Sequence, residues 1–240
     1  MLQDFIDKKT ANVYGIFGNL GGGKSMTAVE LAVYFLSIGW CVTSNIRLFN
    51  IPPSSDYTFI EDITQIDFWK LKQGAPRGSS SPFRSVIIID EVAEFFDQWS
   101  SASPQLRAFM SWLRHSSKRG QFVFLVVQKP EFIAKSLRLL IHKWIVCTDM
   151  GQAFIPGLKI KFPFLSSFIC RRVFDCYGNC ISRGFNLRSK KSLGYYYSTA
   201  QNIARPEDFP PPPVPFIFTP FEKLLFIFLF LRFVSLFFYL

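Results

Sequence analysis

Five apolar runs, each too short for a helix, recur through the first 150 residues: Val13–Phe17, Trp40–Ile46, Val86–Ile89, Phe122–Val127 and Lys143–Thr148. Runs of this length read as strands, and the β-branched Val86–Ile89 suits a central parallel strand buried on both faces. Helix-period segments separate them. Met26 to Ile38 carries Ala28, Leu31, Ala32 and Phe35 at helical spacing. Further helices are predicted over Asp62 to Leu71, over Glu91 to Phe96, and from Lys129-Pro130-Glu131 to about Ile141. Ser103-Pro104 opens another, with Ser as N-cap and Pro at the first helical position. Its stripe of Leu106, Phe109, Met110 and Leu113 at i, i+3, i+4, i+7 spacing is a core face. The alternation predicts an α/β domain with a mostly parallel central sheet over residues 1–150.

From residue 151 the texture changes. Lys159-Ile160-Lys161-Phe162 alternates, and Val173 to Cys176 with Ile181 to Phe185 around Gly178-Asn179 reads as a β-hairpin. A small β-rich appendix is therefore expected over 151–205, ending near Tyr195-Tyr196-Tyr197-Ser198. Residues 206–223 form a linker whose Phe209–Pro215 segment is a polyproline II spacer at ~3.1 Å per residue. In 224–240 the only charge is Arg232, and a transmembrane helix is expected there, at the lower limit of spanning length. Lys190, Lys191, Arg205 and Lys223 precede it, so positive-inside bias places the N-terminal side in the cytoplasm. Asp4, Asp7, Lys8 and Lys9 fall where a signal peptide would carry its apolar stretch. The loop Gly74 to Ser85 is rich in Gly, Pro and Ser, and suits either a contact with a neighbour or a surface insert.

Chemistry enters at the end of the first strand. Gly18-Asn19-Leu20-Gly21-Gly22-Gly23-Lys24-Ser25 spells G-x-x-x-x-G-K-S between a strand and a helix. In that context the glycines let backbone N–H groups converge on an anion at a helix N-terminus. Residues Gly18 through Ser25, with Met26 behind them, are the expected nucleotide-binding loop of a P-loop NTPase, with ATP as the nucleotide. Lys24 would reach the β- and γ-phosphates and the Ser25 hydroxyl would ligate Mg²⁺. Val86–Ile89 ends in Asp90-Glu91. Asp90 is placed to hold the Mg²⁺ shell and Glu91 to polarise the attacking water, which argues for hydrolysis over binding alone. Gln128, at the tip of Phe122–Val127, is placed to sense the γ-phosphate or orient water. Arg114 and Arg119, in the basic stretch after the Ser103 helix, are candidates for an arginine acting on the next subunit's nucleotide.

The net charge of +10 fits either a nucleic-acid partner or an anionic inner leaflet. Cys41 and Cys147 fall in apolar runs and read as core. Cys170, Cys176 and Cys180 lack the spacing and fourth ligand of a zinc site, the only histidines being His115 and His142. The chain has no internal repeats.

The Gly18–Ser25 loop, Val42-Thr43-Ser44-Asn45-Ile46, Ile87-Ile88-Ile89-Asp90-Glu91, His115, Gly120, Val126-Val127-Gln128, the hairpin and Tyr197-Ser198 occur in an order that resembles the Zot-like (zonula occludens toxin-like) assembly proteins of filamentous bacteriophages. The resemblance implies an inner-membrane ATPase with its N-terminal domain in the cytoplasm. It also implies work on virion assembly and extrusion, as coat subunits leave the membrane to coat single-stranded phage DNA. Coat or other assembly proteins, further copies of the chain in a homo-oligomer and the inner membrane are the partners expected. The same loop, acidic pair and Gln128 also fit an FtsK/HerA-like ATPase that packages or translocates DNA. A secreted, non-enzymatic fragment is a third class, and it needs no intact nucleotide site.

Overall fold

The computed structural model describes residues 12–75, 84–97, 103–149 and 169–186. They form one eight-stranded sheet in the order β3-β2-β4-β5-β1-β6-β7-β8. The strands are β1 (Val13–Phe17), β2 (Cys41–Ser44), β3 (Tyr57–Phe59), β4 (Ser85–Ile89), β5 (Gln121–Val127), β6 (Lys143–Asp149), β7 (Ile169–Asp175) and β8 (Cys180–Asn186). Every neighbouring pair from β3 to β6 is parallel. The hairpin β7–β8 joins β6 antiparallel.

Strict alternation on the central strands feeds two cores. Val86 and Ile88 of β4, with Phe122, Phe124 and Val126 of β5, face the helix α1 (Lys24–Ser37), where Leu31 and Phe35 cover them. Ile87 and Ile89, with Val123, Leu125 and Val127, face the other side and pack under α2 (Pro104–His115). Both faces are thus dry, as a parallel sheet requires. Aromatic rings fill the first core: Tyr14 stacks on Phe124 at 5.0 Å and Phe35 on Trp40 at 5.0 Å between centroids. In the second, Phe109 stacks on Phe96 at 4.5 Å. The Ser103 hydroxyl caps α2 by accepting the Leu106 N–H at 3.1 Å, as the sequence predicts. Leu106, Phe109 and Leu113 are buried with Trp112, while Met110 is only half-buried.

Several expected helices are shorter or absent. Asp62 to Leu71 holds two 3₁₀ turns, Ile63–Gln65 and Phe68–Lys70. Each begins where an Asp carboxylate, Asp62 or Asp67, accepts a backbone N–H two residues on, an Asx pattern that competes with α-helix. Glu91 to Phe96 is a single 3₁₀ turn, Val92–Glu94. After Pro130 the chain makes another, Pro130–Phe132, then one turn of helix, α3 (Lys135–Arg138), in place of a helix to Ile141. β3 carries no clear alternation and is a strand by pairing with β2.

The hairpin extends the central sheet. Every residue of β6 is in register with β7, from Lys143 opposite Asp175 to Asp149 opposite Ile169. This hides the N–H and C=O row that β6 would otherwise expose as an edge strand. Among the described residues no helix is long and apolar enough to cross a membrane. The expectations for Lys159–Phe162, Tyr195–Ser198, the proline spacer and the 224–240 helix lie outside the described residues, as does most of the Gly74–Ser85 loop.

Candidate active site

The strand order brings the separate motifs together. β1 delivers the loop Gly18–Gly23, β4 delivers Asp90, and β5, which carries Gln128 at its tip, lies between them. All three strands are parallel, so their carboxyl ends open on one edge of the sheet, where doubly wound folds bind ligands.

The loop turns into α1 at Gly23, the N-cap, whose φ of 89° is left-handed and suits only glycine well. A Cβ there would also stand 2.4 Å from the Ile169 side chain of β7. At Gly18 a Cβ would stand 2.2 Å from the Cys147 carbonyl oxygen of β6. The loop is therefore pressed onto β6 and β7 and has no room for side chains at those points. Leu20 points outward, 81% exposed. Lys24 is buried, and its ammonium donates to the carbonyls of Gly18 at 3.0 Å and Asn19 at 3.2 Å. A cation is thus held over the loop's own curve.

Opposite it, the Ser25 hydroxyl donates to the Asp90 carboxylate. Burial pushes the Asp90 carboxyl up from the usual aspartate value, opposed by Ser25, the Glu91 N–H and the Lys24 charge. The Asn45 side chain fixes the turn that follows β4: its amide oxygen accepts the Asp90 N–H at 2.7 Å and its NH₂ donates to the Asp90 carbonyl at 3.0 Å. Glu91 has left-handed backbone, φ 52° and ψ 42°, a conformation costing a non-glycine residue about 1–2 kcal/mol. Its carboxylate accepts a hydrogen bond from the Gln128 amide. Burial raises the Glu91 carboxyl above the usual glutamate range, helped by Asp90 and Glu94 and opposed by Lys24 and Gln128. The expected set Lys24, Ser25, Asp90, Glu91 and Gln128 therefore converges.

The basic pair does not join it. α2 ends at His115 and β5 starts at Gln121, so Arg114 and Arg119 lie at the amino ends of the strands. The length of β5, on the order of 20 Å, separates them from Gln128. Arg119 is committed there: its guanidinium donates to the Trp69 carbonyl at 2.7 Å, the Leu71 carbonyl at 3.3 Å and Gln121 Oε1 at 3.3 Å, and lies over the Trp69 ring. Arg114 is exposed on the last turn of α2.

The sequence reading did not single out Asn45 as a site residue, nor Thr27, Glu30 and Arg171. One signal was available for the last three. Glu30 is the only charge in α1 after Lys24, in a helix that is otherwise mostly apolar, and a buried acid calls for a buried cation. Which cation answers it depends on the hairpin's placement, which local pattern does not give.

A glycine loop at the end of β1, the acids Asp90 and Glu91 at the end of β4, the first buried and the second half-buried, and the Gln128 amide between them define a P-loop NTPase. Residues 12–164 match the family Zonular occludens toxin (Zot), more than half of the chain, and the chain belongs to that family. The Gene 1 protein of Escherichia phage If1 is 24% identical over 164 residues, 65% of this chain and 44% of that protein. The Gene 1 protein of Enterobacteria phage I2-2 is 25% identical over 161 residues, 60% and 42% respectively. The chain thus spans less than half the length of these relatives. Among solved structures, the N-terminal domain of zonular occludens toxin from Neisseria meningitidis gives a TM-score of 0.48 at 16% identity, covering 79% of this chain and 100% of that one. The genome packaging NTPase B204 of Sulfolobus turreted icosahedral virus 2 in complex with ATP-gammaS gives 0.46 at 13%, covering 74% and 97%.

Proposed function

We propose that the chain is a membrane-anchored ATP hydrolase that powers assembly and extrusion of filamentous phage virions. The hydrolytic part rests on one observation: Glu91, its carboxyl raised above the usual glutamate range by burial and hydrogen-bonded to Gln128, stands beside the Asp90–Ser25 pair. A protein that only held nucleotide would need Asp90 but not a second acid in a strained backbone. Lys24 is the cation positioned for the phosphates, and loop N–H groups at the start of α1 supply the rest of the anion site. Ser25 and Asp90 are hard oxygen donors in contact, and suit Mg²⁺, which when bound neutralises charge on the β- and γ-phosphate oxygens. Glu91 accepts the proton of the attacking water, and Gln128 holds that carboxylate in line.

The phage role is supported by membership of the Zot family and by relatives from two phages. The anchor is supported by the apolar 224–240 segment and the lysines and arginines that precede it. On this reading the N-terminal ATPase faces the host cytoplasm at the inner membrane and works as a homo-oligomer on coat or other assembly proteins. The net charge of +10 supports the alternative, an FtsK/HerA-like motor that packages or translocates DNA.

One reconstitution separates the two. Full-length protein in liposomes resists alkaline carbonate extraction, whereas a chain truncated before Phe216 is released, and coat protein in the same bilayer raises ATP turnover. Turnover that ignores coat protein but rises with single-stranded DNA would favour the translocase, and full-length protein released by carbonate would remove the anchor.

A further inference from the structure

A buried ion pair links the hairpin to the nucleotide loop and has no part in the chemistry described above. Arg171 of β7 and Glu30 of α1 are 3% and 6% exposed, and their guanidinium nitrogen and carboxylate oxygen are 2.5 Å apart. The Arg171 Nε also donates to the Thr27 hydroxyl at 2.9 Å. Thr27 is fully buried, and its hydroxyl donates to the Gly23 carbonyl at 2.8 Å while its backbone N–H donates to the same oxygen at 2.9 Å. The connection runs without a gap from β7 to the residue that turns the loop into α1. On the same face of the same strand, Ile169 fills the space that a Gly23 side chain would need.

Burying two charges carries a desolvation penalty that their attraction often fails to recover, so apolar residues of similar volume would pack this interface as well or better. What apolar residues lack is direction. A guanidinium fork has fixed geometry, and here one nitrogen sets Glu30 while another sets Thr27.

We infer that Arg171 is a positioning residue for the nucleotide loop: through Thr27 and Glu30 it fixes the Gly23 carbonyl, and with it the direction of the Lys24 and Ser25 N–H groups. The inference rests on reading the loop as an ATP site. It makes the hairpin part of that site, because Arg171 reaches α1 only when β7 is in register with β6.

The test uses full-length protein, a fluorescent ATP analogue and thermal melting without nucleotide. Arg171→Met combined with Glu30→Met removes both charges together. It is expected to melt at or above the wild-type temperature yet bind ATP roughly 10–100-fold more weakly, the scale of loss that a small misplacement brings. Thr27→Val, which leaves the ion pair in place, is expected to weaken binding in the same way. Its effect on top of the paired variant should be less than additive, because both interrupt one connection. Wild-type affinity in the paired variant and in Thr27→Val overturns the inference and leaves the pair a packing feature. If the paired variant does not fold, Thr27→Val alone decides by the same two outcomes. A wild-type chain that binds no ATP overturns the reading of the loop itself, and that result is in hand before any variant is made.

Discussion

Glu91 and Gln128 stand out at the scale of single residues because each alters what the other can do. Burial raises the Glu91 carboxyl above the ordinary glutamate value, and the Gln128 hydrogen bond works against that rise. A base is active only when deprotonated, so turnover should fall as pH drops through the raised Glu91 value, at a pH above the ordinary carboxylate range. In Gln128→Ala the lowering hydrogen bond is gone, and the acid limb of the kcat–pH profile should move further up. An unmoved limb, with kcat reduced equally at every pH, would mean that Gln128 acts elsewhere than on Glu91. Asn45 is the quieter partner. Its two bonds to the Asp90 backbone hold the turn that puts Glu91 in its left-handed conformation.

At the scale of elements, the parts most legible in the sequence were those defined by short-range pattern. The five apolar strand runs, the α1 stripe and the Ser103-Pro104 start of α2 all correspond to what forms. The same holds of the strand-loop-helix context that carries Lys24 and Ser25. Helices proposed next to Asp62 and Pro130 failed because side-chain–backbone bonds and proline favour tight turns there. Register and strand order are long-range facts. That β5 lies between β1 and β4, and that the hairpin extends the sheet, depends on pairings between segments far apart in the chain. Arg119 shows the consequence, since its sequence neighbourhood reads as an exposed basic end while its contacts tie residues 69–71 to β5. Arg119→Met should therefore lower stability by about 0.5–1.5 kcal/mol, the net worth of an ordinary hydrogen bond, because its partners are exposed or half-buried and Gln121 Oε1 keeps the Trp112 Nε1 donor, as read by urea unfolding. ATP turnover per folded molecule should stay near wild type. Lost turnover at unchanged stability would return Arg119 to the catalytic set.

For the molecule as a whole, the sheet has its nucleotide edge at the carboxyl ends of the parallel strands and a second, basic end carrying Arg114 and Lys118. If the chain works as a homo-oligomer, an exposed arginine at that end would be the one to test against the next subunit's nucleotide, and Arg114, exposed on the last turn of α2, is the candidate. Turnover per subunit should then rise with protein concentration, and an inactive Arg114→Ala chain should regain activity when mixed with Lys24→Ala chains. Linear activity at all concentrations without rescue would count against a trans-acting Arg114. Beneath all of this lies one claim, that the site hydrolyses ATP through Glu91. The direct measurement is ATP binding and turnover of full-length protein beside its Glu91→Gln variant, whose amide keeps the shape but takes no proton. The account predicts equal ATP affinity and turnover lower by roughly 10²–10⁴-fold in the variant, the range for loss of a general base. Wild-type turnover in Glu91→Gln would contradict it.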